Sequence, residues 1–279
     1  MAGCPSPPSG EGRASAGALA LSGGVPAATC VIALARLPLR MSSASLRGAF
    51  PDVSLPVMKN LASWFAAGLG LACAAVYLLL GPDLSLAAQA ALKAAPIAVM
   101  CLWLCRQGIG KGNWPMLPGL VGSMACDVVL VFPGRSFQVL GMLANLAALG
   151  FYIFYLSRMS KALRPTRLVP GAVLIGLLYF VLSDRLHGDW LAVLVYCGAY
   201  AVFVWRAAAL EPCDAFPGLA APWGALLMTS SDALLSLTAF GTLPAAPKYH
   251  WAVMLLWWGG LWLLAVHAAA HREPGLEHS

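Results

Sequence analysis

Charge is what this chain has least of. Only 10% of its 279 residues are Asp, Glu, Lys or Arg, against 60% hydrophobic residues and a mean hydropathy of +0.78. A water-soluble domain carries roughly a quarter charged residues. Polar groups therefore cannot cover this chain, which excludes a soluble globular protein and leaves lipid as the covering medium. Acidic residues are scarcer still, 11 against 17 Lys and Arg, so few groups remain for ion coupling. The net charge of +6 and pI near 9.0 do not indicate nucleic acid. The basic residues sit in short loops between apolar runs, a membrane topology signal rather than a nucleic-acid patch. The eight cysteines are scattered, several of them inside apolar runs, and read as small buried hydrophobes rather than a disulfide framework.

Residues 1–57 differ from the rest. MAGCPSPPSGEGRASAG is rich in Gly, Pro and Ser, a composition of disordered segments. Arg36, Arg40 and Arg47 follow, with Glu11 the only acid before Asp52, as in an organelle transit peptide. A simpler expectation is a translation start at Met41 or Met58, since MKNLASWFAAGLGLACAAVYLLL opens as a membrane protein does. That start favours a bacterial inner membrane over the endoplasmic reticulum. The expected organisation is thus an extension over 1–57, a membrane domain over 58–272 and a short tail over 273–279.

A helical span needs about 20 mainly apolar residues. Eight stretches qualify, over 60–80, 85–105, 115–132, 137–157, 168–183, 189–206, 218–241 and 249–271. Short loops such as GPD, PGR and SRMSKALRPTR separate them. The expected fold is all-α, an eight-span membrane bundle with no soluble domain. With a cytoplasmic N-terminus, twelve Lys and Arg fall on the inner side and three, Arg135, Arg185 and Lys248, on the outer. This bias predicts both termini in the cytoplasm.

Three charges lie well inside spans: Lys93, Asp127 and Asp232. Each costs about 2.5–3.5 kcal/mol at a helix centre on insertion scales. The helical rise puts them at roughly 18, 18 and 21 Å from the cytoplasmic side, so three helices present charge at one level. A buried Lys–Asp pair pinning two helices would leave the second carboxylate unexplained. With both acids near one lysine, one acid is expected to hold its proton. One protonated and one ionised carboxyl are what general acid/base chemistry uses. The surroundings fit a polar cavity. Pro96 frees the carbonyl of Leu92 near Lys93. Gln89 and Ser123 stand one turn before Lys93 and Asp127, and Thr229 and Ser236 share a face with Asp232. SMACDVVL in the third span and MTSSDALL in the seventh also echo each other, as a duplicated four-helix unit would require.

Other chemistries find less support. A serine hydrolase needs a base beside Ser230 or Ser231, and no histidine lies near that depth. His267 and His271 have the i, i+4 spacing of metal ligands but no carboxylate near them in the span, so no metal and no cofactor is expected. Most of the ten tryptophans fall near span ends as an interfacial belt, while Trp257 and Trp258 lie deeper.

LKAAPIAVMCLWL around Lys93, CDVVLVFP around Asp127 and WGALLMTSSDALLSLTAF at 223–240 resemble the lysoplasmalogenase (YhhN-like) family of membrane proteins over roughly residues 60–265. That family's pattern has Lys followed three residues on by Pro, a Gly-Asp pair, a Gly-x7-His-x2-Tyr run and a GALLF-x2-SD block. Ser231–Asp232 is the most specific match. The resemblance implies eight spans and hydrolysis of the vinyl ether bond of lysoplasmalogens to an aldehyde and a glycerophospho-base. It puts Asp127 and Asp232 forward as catalytic, with Lys93, Ser231 and Tyr152 binding substrate or balancing charge, and a lysophospholipid as substrate. The chain departs from the pattern at Cys126 for Gly, Leu149 for His and Leu261 for Gln. The rival readings are a transporter or lipid-binding protein using the same charges, and a family member that has lost catalysis.

Overall fold

The computed structural model describes residues 61–185, 190–210, 216–244 and 246–271. The extension over 1–57 and the tail over 273–279, with Arg36, Arg40, Arg47 and Arg272, lie outside the described residues. The chain divides into units over 1–48 and 49–279, and everything described belongs to the second.

Among the described residues the secondary structure is entirely helical. The α-helices are α1 (Leu61–Leu80), α2 (Leu86–Gln107), α3 (Met116–Val129), α4 (Arg135–Met159), α5 (Leu168–Leu182), α6 (Trp190–Ala208), α7 (Phe216–Ala239) and α8 (Pro247–Ala270). Each falls on one of the eight apolar runs. Punctuation in the sequence explains the ends. Ser85 caps α2 by accepting from the Ala88 amide. Gly108, at φ +92°, ends it. Pro247 sits in the first turn of α8, where its missing N–H is no loss. Among the described residues, five segments are long and apolar enough to cross a membrane: α2, α4, 165–182, α6 and α8. The α3 helix has 14 residues, about 21 Å at 1.5 Å per residue, and is shorter than the 115–132 span expected of it.

Helix packing follows a repeated pattern. The α1 helix packs on α2 as α5 packs on α6; α2 meets α3 as α6 meets α7; α3 meets α4 as α7 meets α8. The α4 helix also reaches across to α6, and α8 reaches back to α2. Six helices thus form a closed ring, α2–α3–α4–α6–α7–α8, with α1 and α5 packed on its outside. This is the arrangement a duplicated four-helix unit produces, and it places Asp127 on α3 and Asp232 on α7 in matching positions.

Large apolar side chains turn both ways. Leu104, Met116, Leu120, Leu149, Leu156 and Leu261 have no exposed surface, while Leu71 is 72% and Phe180 74% exposed. Apolar residues facing outward from α1 and α5 are expected where lipid is the solvent. The α7–α8 contact depends on glycine. A Cβ on Gly224 would stand 2.8 Å from the Gly260 carbonyl oxygen, and one on Gly260 2.7 Å from that of Gly224. Small residues that let backbones touch are the usual device for joining helices in a membrane, where no hydrophobic gain is available.

Candidate active site

Inside the ring, Lys93 on α2 meets Asp127 on α3, with Nζ 3.2 Å from Oδ1. Trp257 on α8 donates its indole N–H to the other oxygen, Oδ2, at 3.1 Å. Lys93 and Asp127 are 7% and 4% exposed, so a complete ion pair is buried within the bundle. Trp258 lies close to the same carboxylate but outside hydrogen-bond geometry. On the α1 side, Tyr77 stacks edge-on against Trp258, with centroids 6.0 Å apart, and lies 5.7 Å from the ring of His250.

Asp232 on α7 has a different set of partners. Tyr196 on α6 donates to its Oδ2 at 2.6 Å, Tyr200 one turn later donates to the same atom, and Asn145 on α4 donates to it at 3.0 Å. The Asn145 amide nitrogen is also within hydrogen-bond reach of both tyrosine hydroxyls, so its two protons are shared among three acceptors. Each tyrosine keeps its proton and donates its O–H to the carboxyl oxygen. The Asn145 side-chain carbonyl, 2% exposed with its residue, has no hydrogen-bond partner among the described residues. Asp232 itself is half-buried and lies within electrostatic reach of Asp127. Cys126, next to Asp127 in the chain, is buried and within electrostatic reach of both carboxylates.

The structure pairs Lys93 with Asp127 and puts Asp232 within electrostatic reach of Asp127. The remaining sequence candidates are placed around them. Tyr152 is fully buried and shares a 2.9 Å hydrogen bond with Ser123, one turn before Asp127. Ser231 donates to the Val253 carbonyl at 2.8 Å and braces α7 against α8. Thr229 bonds the Ala225 carbonyl of its own helix, and Gln89 turns back to the Leu84 carbonyl. His267 shares a hydrogen bond with Tyr155 and stacks on His271 at 4.1 Å.

Charge alone did not find Asn145, Tyr196 and Tyr200. The available signal was their spacing: tyrosines at i, i+4 in the middle of an apolar span, and a lone amide inside GMLANLAALG.

The YhhN family model matches residues 88–268. The chain belongs to the YhhN family, the lysoplasmalogenase family. The match runs from the first turn of α2 into the last turn of α8, so it takes in every residue of the carboxylate cluster and leaves out α1. No curated protein and no solved structure gives a significant match. Of the three departures from the expected pattern, Cys126 adjoins Asp127, and Leu149 and Leu261 flank this cluster. Leu149 follows Asn145 by one turn of α4, and Leu261 follows Trp257 by one turn of α8, and both are completely buried. Each leucine thus stands one turn from a residue that donates to a catalytic-candidate carboxylate.

Proposed function

We propose that this protein is a membrane-embedded hydrolase cleaving the vinyl ether bond of lysoplasmalogens, with Asp127 and Asp232 as the catalytic pair. The observation that carries this reading is that two carboxyls from different helices lie within electrostatic reach of each other, one bonded to a cation and one to neutral donors. Vinyl ether hydrolysis needs a carboxylic acid to protonate the β-carbon. It also needs an anion to stabilise the oxocarbenium ion and accept a proton from water. Water adds to give a hemiacetal, which collapses to an aldehyde and the glycerophospho-base. Nothing in that sequence requires a metal.

The same reading places eight spans in the bilayer with both termini cytoplasmic. A single-tailed lipid then presents its glycerol end to the polar centre while its chain stays among apolar helices. In this reading Lys93 balances the charge of Asp127.

Purified protein should release aldehyde from a lysoplasmalogen and not from a matched ester-linked lysolipid. Replacing either Asp127 or Asp232 by Asn should abolish that release. Full turnover in both variants would sink the proposal. The second reading, a lipid-binding family member without catalysis, draws on Leu149 and Leu261. It predicts binding of the same lipid with no aldehyde from the unmodified protein.

A further inference from the structure

The two carboxyls occupy matching places in the repeated helix pattern, but their partners are not equivalent. Asp127 receives Lys93 from α2 and Trp257 from α8. Asp232 receives Tyr196 and Tyr200 from α6 and Asn145 from α4, the corresponding helices of the other half. The correspondence extends to single residues. Asn145 and Trp257 are separated by 112 residues, as are Leu149 and Leu261 and the hydrogen-bonded pair Tyr155 and His267. One half has kept a cation beside its carboxyl, and the other has neutral hydroxyl and amide groups.

Charge balance then distinguishes the two acids. Lys93 is paired with Asp127, so ionising both acids would leave an uncompensated negative charge in a buried site, which is strongly disfavoured. The proton belongs on the carboxyl without a cation. All three hydrogen bonds to Asp232 end on Oδ2, which leaves Oδ1 as the oxygen for a proton and for substrate.

We propose that Asp232 is the proton donor of this site, that Asn145, Tyr196 and Tyr200 are the residues that position it, and that Lys93 and Trp257 hold Asp127 as the anion. What the proton does rests on the hydrolase reading; where it sits does not. In the reaction, the Asp232 Oδ1–H bond breaks as a C–H bond forms at the vinyl ether β-carbon. Water then adds to the oxocarbenium carbon and gives a proton to Asp127. When the hemiacetal collapses, its hydroxyl proton returns to Asp232, and Asp127 passes its proton to the departing glycerol oxygen. Both acids end as they began.

Infrared spectroscopy of the full-length protein in membranes tests the location of the proton without any substrate. A protonated-carboxyl band at neutral pH should vanish in Asp232→Asn and persist in the double variant Lys93→Met, Asp127→Asn, which removes the cation together with its partner. Tyr196→Phe and Tyr200→Phe should each move that band to higher frequency, because each removes a donor from the C=O of the acid. Survival of the band in Asp232→Asn, its loss in the double variant, or no such band in the unmodified protein overturns the assignment.

Kinetics on lysoplasmalogen give a second readout. The tyrosine variants should lower kcat on the order of 100-fold with little change in KM and displace the alkaline limb of the pH profile. Lys93→Gln should displace the acidic limb. An exchange of those limbs would also overturn the proposal. Absence of aldehyde release by the unmodified protein, together with the expected infrared pattern, would instead reject the hydrolase reading and leave the proton assignment standing.

Discussion

Lys93 shows most directly why a buried charge is kept only with its partner. Its ammonium and the Asp127 carboxylate are both within the bundle at 3.2 Å. Removing one partner strands the other, which costs about 3–5 kcal/mol, whereas removing both together costs far less. Lys93→Met should therefore lower the thermal unfolding temperature sharply in a mild detergent. The double variant Lys93→Met, Asp127→Leu should recover most of that loss while remaining inactive. Equal destabilisation by the single and double changes would mean that the pair is not a unit.

At the scale of elements, the α7–α8 contact and the α4–α5 loop show how a short polypeptide holds its helices at fixed spacing. Gly224 and Gly260 let two backbones touch, and an alanine at Gly260 would place its Cβ 2.6 Å from Met228 Cγ and 2.7 Å from the Gly224 carbonyl oxygen. Overpacking of this kind costs about 1–3 kcal/mol. Gly260→Ala should lower unfolding temperature and activity together, because α7 and α8 carry Asp232 and Trp257. Gly259→Ala, whose nearest added contact is an ordinary 3.8 Å, should change neither, which thermal denaturation of the two variants side by side would check. Across the bundle, Arg206 at the end of α6 donates to the carbonyls of Ser160 and Ala162, and Arg167 donates back to those of Ala208 and Leu210. Two of the basic residues that mark the expected cytoplasmic side thus also satisfy helix-end and loop carbonyls that have no partner within a helix.

For the whole molecule, the ring of six helices with two outer ones explains why so little charge is needed. Lipid-facing residues on α1 and α5 are apolar, and polar groups concentrate at the ring's centre and its ends. The topology makes a prediction that labelling can check. Cys105 is exposed near the C-terminal end of α2 and should react with a membrane-impermeant maleimide only from the cytoplasmic side. A cysteine introduced at Ser136, at the start of α4, should react only from the opposite side. Labelling from the reverse sides would invert the orientation.

How much of this was legible in the residues themselves follows from cost. Apolar runs of the length of a bilayer, cut by Gly, Pro and basic loops, determined the eight helices, because backbone groups in lipid have few alternatives to a helix. Lys93, Asp127 and Asp232 were legible for the same reason. A charge in an apolar span is expensive enough to mark its own position. Tyr196, Tyr200 and Asn145 carry no such mark, since a neutral side chain in the middle of a span serves packing, lipid contact or a site at similar cost. Ser231, singled out by the family pattern, turned to the carbonyl of Val253 for a reason no linear spacing contains. Which helix faces which is set by close contacts such as Gly224 with Gly260 and by the closure of α8 onto α2. Sequence by itself determined the helices and the three charges. Only the tertiary structure decided that one carboxyl would meet a cation and the other a set of neutral donors, because those partners come from helices that are distant in the chain and adjacent only once the ring has closed.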